Sequence, residues 1–195
     1  MLRLRCPSDR EVEALLGAGL APLSYPEVGA TARLDSPAVR ESLEVRYDLD
    51  RHEFTLGSGP ALFDRARSAL MAWRHFAIPW LDFRGPDRVE PDQVVATLLQ
   101  VAGLWFVNPC RVIYADARPD QGLVAYAYGT LPGHAESGEE RFSVSLDPAT
   151  QEVRYHIAAF SRPALLLSRL AYPLARRIQR RFAMSSAQAL ARAVA

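Results

Sequence analysis

The chain has 195 residues, of which 49% are hydrophobic and 23% charged, enough apolar content for one packed core, and a single domain over residues 1–195 is expected. Its 23 basic and 22 acidic residues leave a formal net charge of +1, so the whole molecule has no electrostatic pull towards nucleic acid. Lys is absent, which excludes Schiff-base lysines, pyridoxal-phosphate attachment, a phosphate-loop Lys and a Ser-Lys dyad.

The N-terminal segment Met1-Leu2-Arg3-Leu4-Arg5-Cys6-Pro7 turns polar before a signal-peptide core can form. Ser8 and Glu11 have capping-box spacing, and Val12, Leu15, Leu16 and Leu20 continue at helical intervals, so a helix is expected from Ser8 to Leu20, ended by Gly17 and Gly19. Residues 21–40 carry Pro22, Pro26 and Pro37 without a clear period and read as an irregular connection. A strand is expected between Leu43 and Leu56. The turn Gly57-Ser58-Gly59-Pro60 then feeds a helix with Asp64 in its first turn, Arg74 in its last, and Leu62, Phe63, Ala66, Ala69, Leu70 and Trp73 on its apolar face.

From Gln93 to Ser161 apolar residues recur every second position between turn signals, the pattern of antiparallel hairpins with one wet face. The expected strands include Val95 to Val101, Cys110 to Ala115, Leu123 to Tyr128, Phe142 to Leu146 and Val153 to Ile157, with turns at 118–122 and 147–150. The longest apolar run, Val101 to Val107, is far short of the roughly 20 residues a membrane helix needs. After Ser161 the period becomes helical again, with Leu166, Leu170, Leu174, Ile178 and Phe182 four apart, and Pro173 is expected to kink or split that helix. Residues 162–195 contain seven Arg and no acid. Arg176, Arg177, Arg180 and Arg181 then read as a solvated face opposite the leucine stripe, with phosphate or membrane-surface contact as the other use of such a face.

This order predicts an α+β fold: a curved antiparallel β-sheet with a long C-terminal helix packed across it, and space for a ligand between the two. Chemistry is harder to read. Cys6 and Cys110 are the only cysteines, too few for a disulfide framework or a four-thiolate zinc site, and they fit a reducing, cytoplasmic setting. Gly57-Ser58-Gly59 lacks the third glycine of a dinucleotide loop, and neither G-x-S-x-G nor H-E-x-x-H occurs. The densest polar segment, Gly129 to Arg141, contains His134-Ala135-Glu136. This resembles the His-x-Glu of zinc deaminases, but Cys110 has no second Cys three residues on and precedes the His. Three readings of the segment stand: a solvated hairpin loop, a carboxylate-and-His metal site from His134, Glu136, Glu139 and Glu140, and a general acid-base pair. No metal or cofactor is assigned. Trp73, Trp105, Tyr126 and Tyr128 serve either the core or an aromatic pocket, and buried tyrosine hydroxyls would need partners there.

The words Tyr128-Gly129-Thr130-Leu131-Pro132-Gly133-His134, Glu136, Gly138-Glu139-Glu140, Asn108-Pro109-Cys110-Arg111-Val112, Phe160-Ser161-Arg162-Pro163 and Gln179-Arg180 resemble the domain-of-unknown-function family 1990. The early helix (Phe63, Ala66, Ala69, Leu70, Trp73) and the loop Val28-Gly29-Ala30 are similar as well, and Ala135 stands where relatives are expected to have proline. The family is uncharacterised in activity, so the resemblance carries over no catalytic residue. It implies an architecture similar to the helix-grip superfamily, the START and Bet v 1-like binders of lipids, sterols and polyketides.

Together these readings point to binding of a small hydrophobic or amphipathic molecule between sheet and C-terminal helix. The candidate ligand-binding residues are Trp73, Arg111, Tyr126, Tyr128, His134, Glu136, Glu140 and Arg162. The alternative is a small enzyme using carboxylate and His acid-base chemistry in the 129–141 segment. Ligand identity, turnover and oligomeric state are left open by the residues.

Overall fold

A computed structural model describes residues 1–17, 21–165 and 170–195. The short strand β1 (Leu2–Arg3) leads to α1 (Asp9–Leu16), which starts where the capping box requires: Ser8 N–H donates to Glu11 Oε2 at 2.9 Å and Glu11 N–H to Ser8 Oγ at 3.4 Å. The helix is capped at Gly17, and the expected continuation through Gly19 and Leu20 lies outside the described residues.

The connection after residue 20 is more regular than its prolines suggest. It holds a 3-10 turn at Ala30–Arg33 and the helix α2 (Pro37–Glu44), opened by Pro37, whose fixed φ suits a first helical turn. Because Leu43 is buried at the end of that helix, the strand expected from Leu43 begins only at Asp48, as β2 (Asp48–Ser58). Gly59, at φ 96°, turns the chain into α3 (Pro60–Met71). This helix ends before the expected Arg74, because Trp73 takes a left-handed conformation and a 3-10 turn follows at Arg74–Phe76.

Antiparallel strands β3 (Asp82–Arg84), β4 (Val94–Val101), β5 (Leu104–Arg118), β6 (Leu123–Thr130), β7 (Glu136–Leu146) and β8 (Glu152–Pro163) complete an eight-stranded sheet, ordered β2-β8-β7-β6-β5-β4-β3. β1 pairs with β5 at Leu2–Phe106, the stretch that β6 does not cover. Register shifts at Thr55/Gly57 and Val112/Tyr114 insert an extra residue into β2 and β5, the device that bends a strand and curves a sheet. The turns form as read: Gly122 is left-handed, and Asp147 Oδ1 accepts the Ala149 and Thr150 N–H groups at 2.8 and 2.9 Å.

The C-terminal helix α4 (Tyr172–Val194) lies on the inner face of this sheet. Pro173 sits in its first turn, where a missing N–H costs nothing; Leu170 is still helical and Ala171 forms a turn, so the helical stretch is split just ahead of Pro173, as expected. Leu166 of the expected stripe lies outside the described residues. The second half of α4 is packed down: Ala183, Ala187, Leu190 and Val194 join Phe63, Ala66, Leu70, Tyr126, Phe142, Val144 and Tyr155 in the main core. Small residues let helix and sheet approach there, and Ser186 Oγ meets the buried Tyr155 hydroxyl at 2.8 Å.

The opposite face of the sheet is covered by the N-terminal segments. Val12 packs with Ala96, Leu98 and Val107, and Tyr25, Ala30, Leu34, Leu43 and Tyr47 pack with Phe160. Glu139, 2% exposed, anchors this layer. Its carboxylate accepts the Tyr25 hydroxyl and the Gly29 N–H, both at 2.7 Å, the Thr31 N–H at 3.0 Å, and the Thr31 hydroxyl. Gly129, the partner of Glu139 across β6 and β7, leaves room for Tyr25, since a side chain there would collide with the Tyr25 hydroxyl. Glu139→Gln should therefore lower stability by at least about 2 kcal/mol, because a charged acceptor in a buried cluster of donors is replaced by an amide that brings two donors of its own. Urea unfolding of the two proteins measures the difference.

Candidate ligand-binding cavity

Along its first half α4 stands off the sheet, and a cavity of about 220 Å³ remains beneath it. Leu174, Ala175, Ile178 and Phe182 form the roof, and Trp80 and Leu81 close one side. Thr97 and Leu99 of β4, Asn108 of β5, Tyr128 and Thr130 of β6, Glu136 and Glu140 of β7, Ile157 and Ala159 of β8, and Asp50 and His52 of β2 form the floor. The cavity reaches the surface, since Leu174 is 44% exposed.

Three polar contacts tie the roof to the sheet. The Arg176 guanidinium takes Asp50 in a two-pronged grip with both contacts at 2.6 Å, and it also donates to Gln179 Oε1 at 2.8 Å. The Tyr172 hydroxyl donates to Asp48 at 2.8 Å, and Gln179 Nε2 to Ser161 Oγ at 3.3 Å. Arg176 and Asp50 side chains are only 20% and 18% exposed. Arg176 is thus not part of a solvated face. Arg177, Arg180 and Arg181 are exposed, Arg181 lying 4.5 Å from the centre of the Trp80 ring. Leu170, at 76%, is exposed also, so the expected leucine stripe becomes inward-facing only from Leu174 on.

One end of the cavity is polar. The Tyr128 hydroxyl donates to Glu140 Oε2 at 2.7 Å. Burial pushes the Glu140 carboxyl up to about 7, partly opposed by that bond, and Asp50 adds to the rise. Glu136 is also raised to about 7, by burial and then by Asp48, while Arg176 works against the rise. Neither carboxyl has an ion-pair partner among the described residues. His134 Nδ1 accepts the Glu136 N–H at 2.9 Å, which puts the imidazole proton on Nε2. Burial, and next the N-terminal ammonium, hold His134 down at about 3, so it is neutral. Asn108 Oδ1 accepts the Ala135 N–H at 3.1 Å and ties the 131–135 turn to the floor. Gly138 lies between Glu136 and Glu140, and a side chain there would collide with the Phe160 carbonyl.

Of the residues singled out from sequence, Tyr128, His134, Glu136 and Glu140 line the cavity, and four others lie elsewhere. Trp73 and Tyr126 sit in the packed half of the core, their rings 5.0 Å apart. The Tyr126 hydroxyl is satisfied by His75 Nε2 at 2.6 Å, not by a cavity. Arg111 donates to the Ala21 carbonyl at 3.2 Å, and Arg162 lies over the Tyr47 ring at 5.2 Å on the opposite face of the sheet. Glu139 turns to that face as well, because side chains alternate along β7, so the four-donor metal set does not assemble. Among the described residues no group of three His, Cys, Asp or Glu is placed to hold a metal. Asp50, His52, Asn108 and Trp80 are cavity residues the sequence reading missed. The only available signal was the alternation of Asp48, Asp50 and His52 along β2.

A curved antiparallel sheet gripping a C-terminal helix over a cavity defines the helix-grip class. Solved structures agree with it at the level of fold: the Zhui aromatase/cyclase of Streptomyces sp. R1128 superposes with a TM-score of 0.52 at 14% identity, covering 76% of this chain and 94% of that one. A Thermus thermophilus protein superposes with a TM-score of 0.50 at 10% identity, covering 75% and 97%. Within this class the chain belongs to the domain-of-unknown-function family DUF1990, matched over residues 24–189. Relatives include UPF0548 proteins of Dictyostelium discoideum, 33% identical over 76% of this chain and 73% of the relative, and of Deinococcus radiodurans, 33% identical over 99% and 98%. No helix among the described residues is long and apolar enough to cross a membrane.

The raised carboxyls have a signed consequence. A group whose folded pKa of about 7 exceeds its ordinary value of 4.5 contributes stability at low pH that is lost as pH rises through that window. His134 works in the opposite sense below its ordinary 6.5, so the clean readout is a difference between proteins that share it. Replacing Glu140 by Gln should raise the melting temperature relative to the parent by roughly 2–4 °C more at pH 8 than at pH 5, the effect of about 1 kcal/mol after discounting for solvent screening. Thermal melts of both proteins at the two pH values check it.

Proposed function

We propose that the protein binds a small amphipathic molecule, its apolar body under α4 and its polar end at His134, Glu136, Glu140 and Asn108. The observation that carries this reading is the composition of the cavity wall. Leu99, Ile157, Leu174, Ile178 and Phe182 give it an apolar majority, and a few convergent polar groups sit at one end, the usual make-up of a small-molecule site. The unpaired thiols Cys6 and Cys110 fit a reducing compartment such as the cytoplasm.

Two carboxyls near 7 beside a neutral imidazole favour a second reading, proton transfer to or from the bound molecule. Mass spectrometry of ligand recovered after prolonged incubation separates the two: an unchanged molecule leaves binding alone.

Native mass spectrometry of the purified protein, followed by a thermal-shift screen of small amphipathic compounds, tests the main reading. Compounds that bind should raise the melting temperature of the parent by a few degrees. Ala175→Phe, which fills the cavity from the roof, should abolish the rise and leave the melting of the protein alone within roughly 3 °C of the parent. A screen without hits, or hits whose effect survives Ala175→Phe, overturns it.

A further inference from the structure

Apart from the imidazoles of His52 and His134 and the Tyr128 hydroxyl, the ionisable side chains that face the cavity are carboxyls. Asp50, Glu136 and Glu140 bring carboxyls to its wall, and no Arg is among the described residues that line it. The guanidinium of Arg176, beside the mouth, is bound on both prongs by Asp50. Both carboxyl oxygens of Glu136 and Oε1 of Glu140 accept no hydrogen bond among the described residues, while Glu140 Oε2 takes only the Tyr128 hydroxyl. His134 offers a neutral N–H, which suits a hydroxyl or carbonyl but brings no positive charge. A ligand carboxylate would add a further anion to this end of the cavity, and taking it out of water without a counter-charge is unfavourable.

Resting on the reading that the cavity is a ligand site, we propose that its ligand is an organic cation: a small apolar body with a protonated amine head that takes Glu136 and Glu140 as counter-ions. An ammonium carries three donors and no acceptor, the complement of three open carboxyl oxygens. Bonds between an ammonium and a carboxylate are charge-assisted and shielded from water by the roof, which makes them stronger than a neutral alcohol could form. Both carboxyls are raised chiefly by burial, and an amine held against them would reverse that effect.

The test compares three probes of matched shape, octylamine, 1-octanol and octanoate, titrated into the full chain by calorimetry at pH 7.5, with amide NMR shifts to locate the site. Octylamine should bind at least about tenfold more tightly than 1-octanol, and octanoate more weakly than either. In the E136Q/E140Q double variant the preference for the amine over 1-octanol should shrink to about twofold or less, whatever the change in the two absolute affinities. The single variants E136Q and E140Q serve if the double variant is unfolded by circular dichroism, each lowering the preference. If 1-octanol binds under α4 but octylamine gains nothing, or octanoate binds as well as octylamine, the head-group proposal is overturned while the cavity reading stands. If none of the three binds, the cavity reading falls and this proposal with it.

Discussion

Arg176 and Asp50 meet across the mouth of the cavity, one from the first turns of α4 and the other from the edge strand β2, and both are largely withdrawn from water. Held in this way, the leading half of the helix forms a roof without having to pack down, whereas the trailing half is drawn onto the sheet by Ala183, Ala187 and Leu190. The different footing of the two halves leaves space under one and none under the other. The same contact occupies the Arg176 guanidinium and leaves Glu136 and Glu140 facing the cavity without an ion-pair partner among the described residues. The shape of the site and its electrical character thus share one origin.

The sheet distributes two jobs along β7. Phe142 and Val144 are core, Glu136 and Glu140 are cavity, and between them Glu139 faces the other way to hold the N-terminal layer. Burial of carboxyls in a protein of marginal stability is costly, and the two faces handle it differently. Glu139 is surrounded by four donors. Glu140 has one hydroxyl and is kept close to its titration point. Neighbouring residues of the same type therefore serve as structural anchor and as candidate binding group, and environment alone separates them.

The architecture was largely legible in the residues. Period-two alternation from Gln93 to Ser161 located most of the sheet, Ser8 with Glu11 located α1, and the leucine period located the closing helix. Legibility failed wherever a long-range contact decided the outcome. Arg176 on a helix crowded with Arg looks like any solvated cation, and its partner lies 126 positions away. Tyr126 and Tyr128 share a face of β6, and alternation assigns both inward. Whether the inward side is packed or hollow depends on the height of a helix more than 40 residues further along, so one tyrosine became core and the other cavity. Pro37 misled in the same way, because a proline reads as an interruption unless the position of the helix start is already known.

The back-to-back placement of Glu139 and Glu140 also limits how this stretch of chain can vary in length. Side chains on a strand alternate strictly, so gaining or losing one residue ahead of this pair, if transmitted into the strand, would send the anchor into the hollow and the cavity acid under Tyr25. The turn at 131–135 is where such a change can be absorbed before pairing resumes, although Asn108 and the chain start grip it from two sides. Insertions and deletions here face a parity rule, with steps of two preserving both roles and steps of one exchanging them.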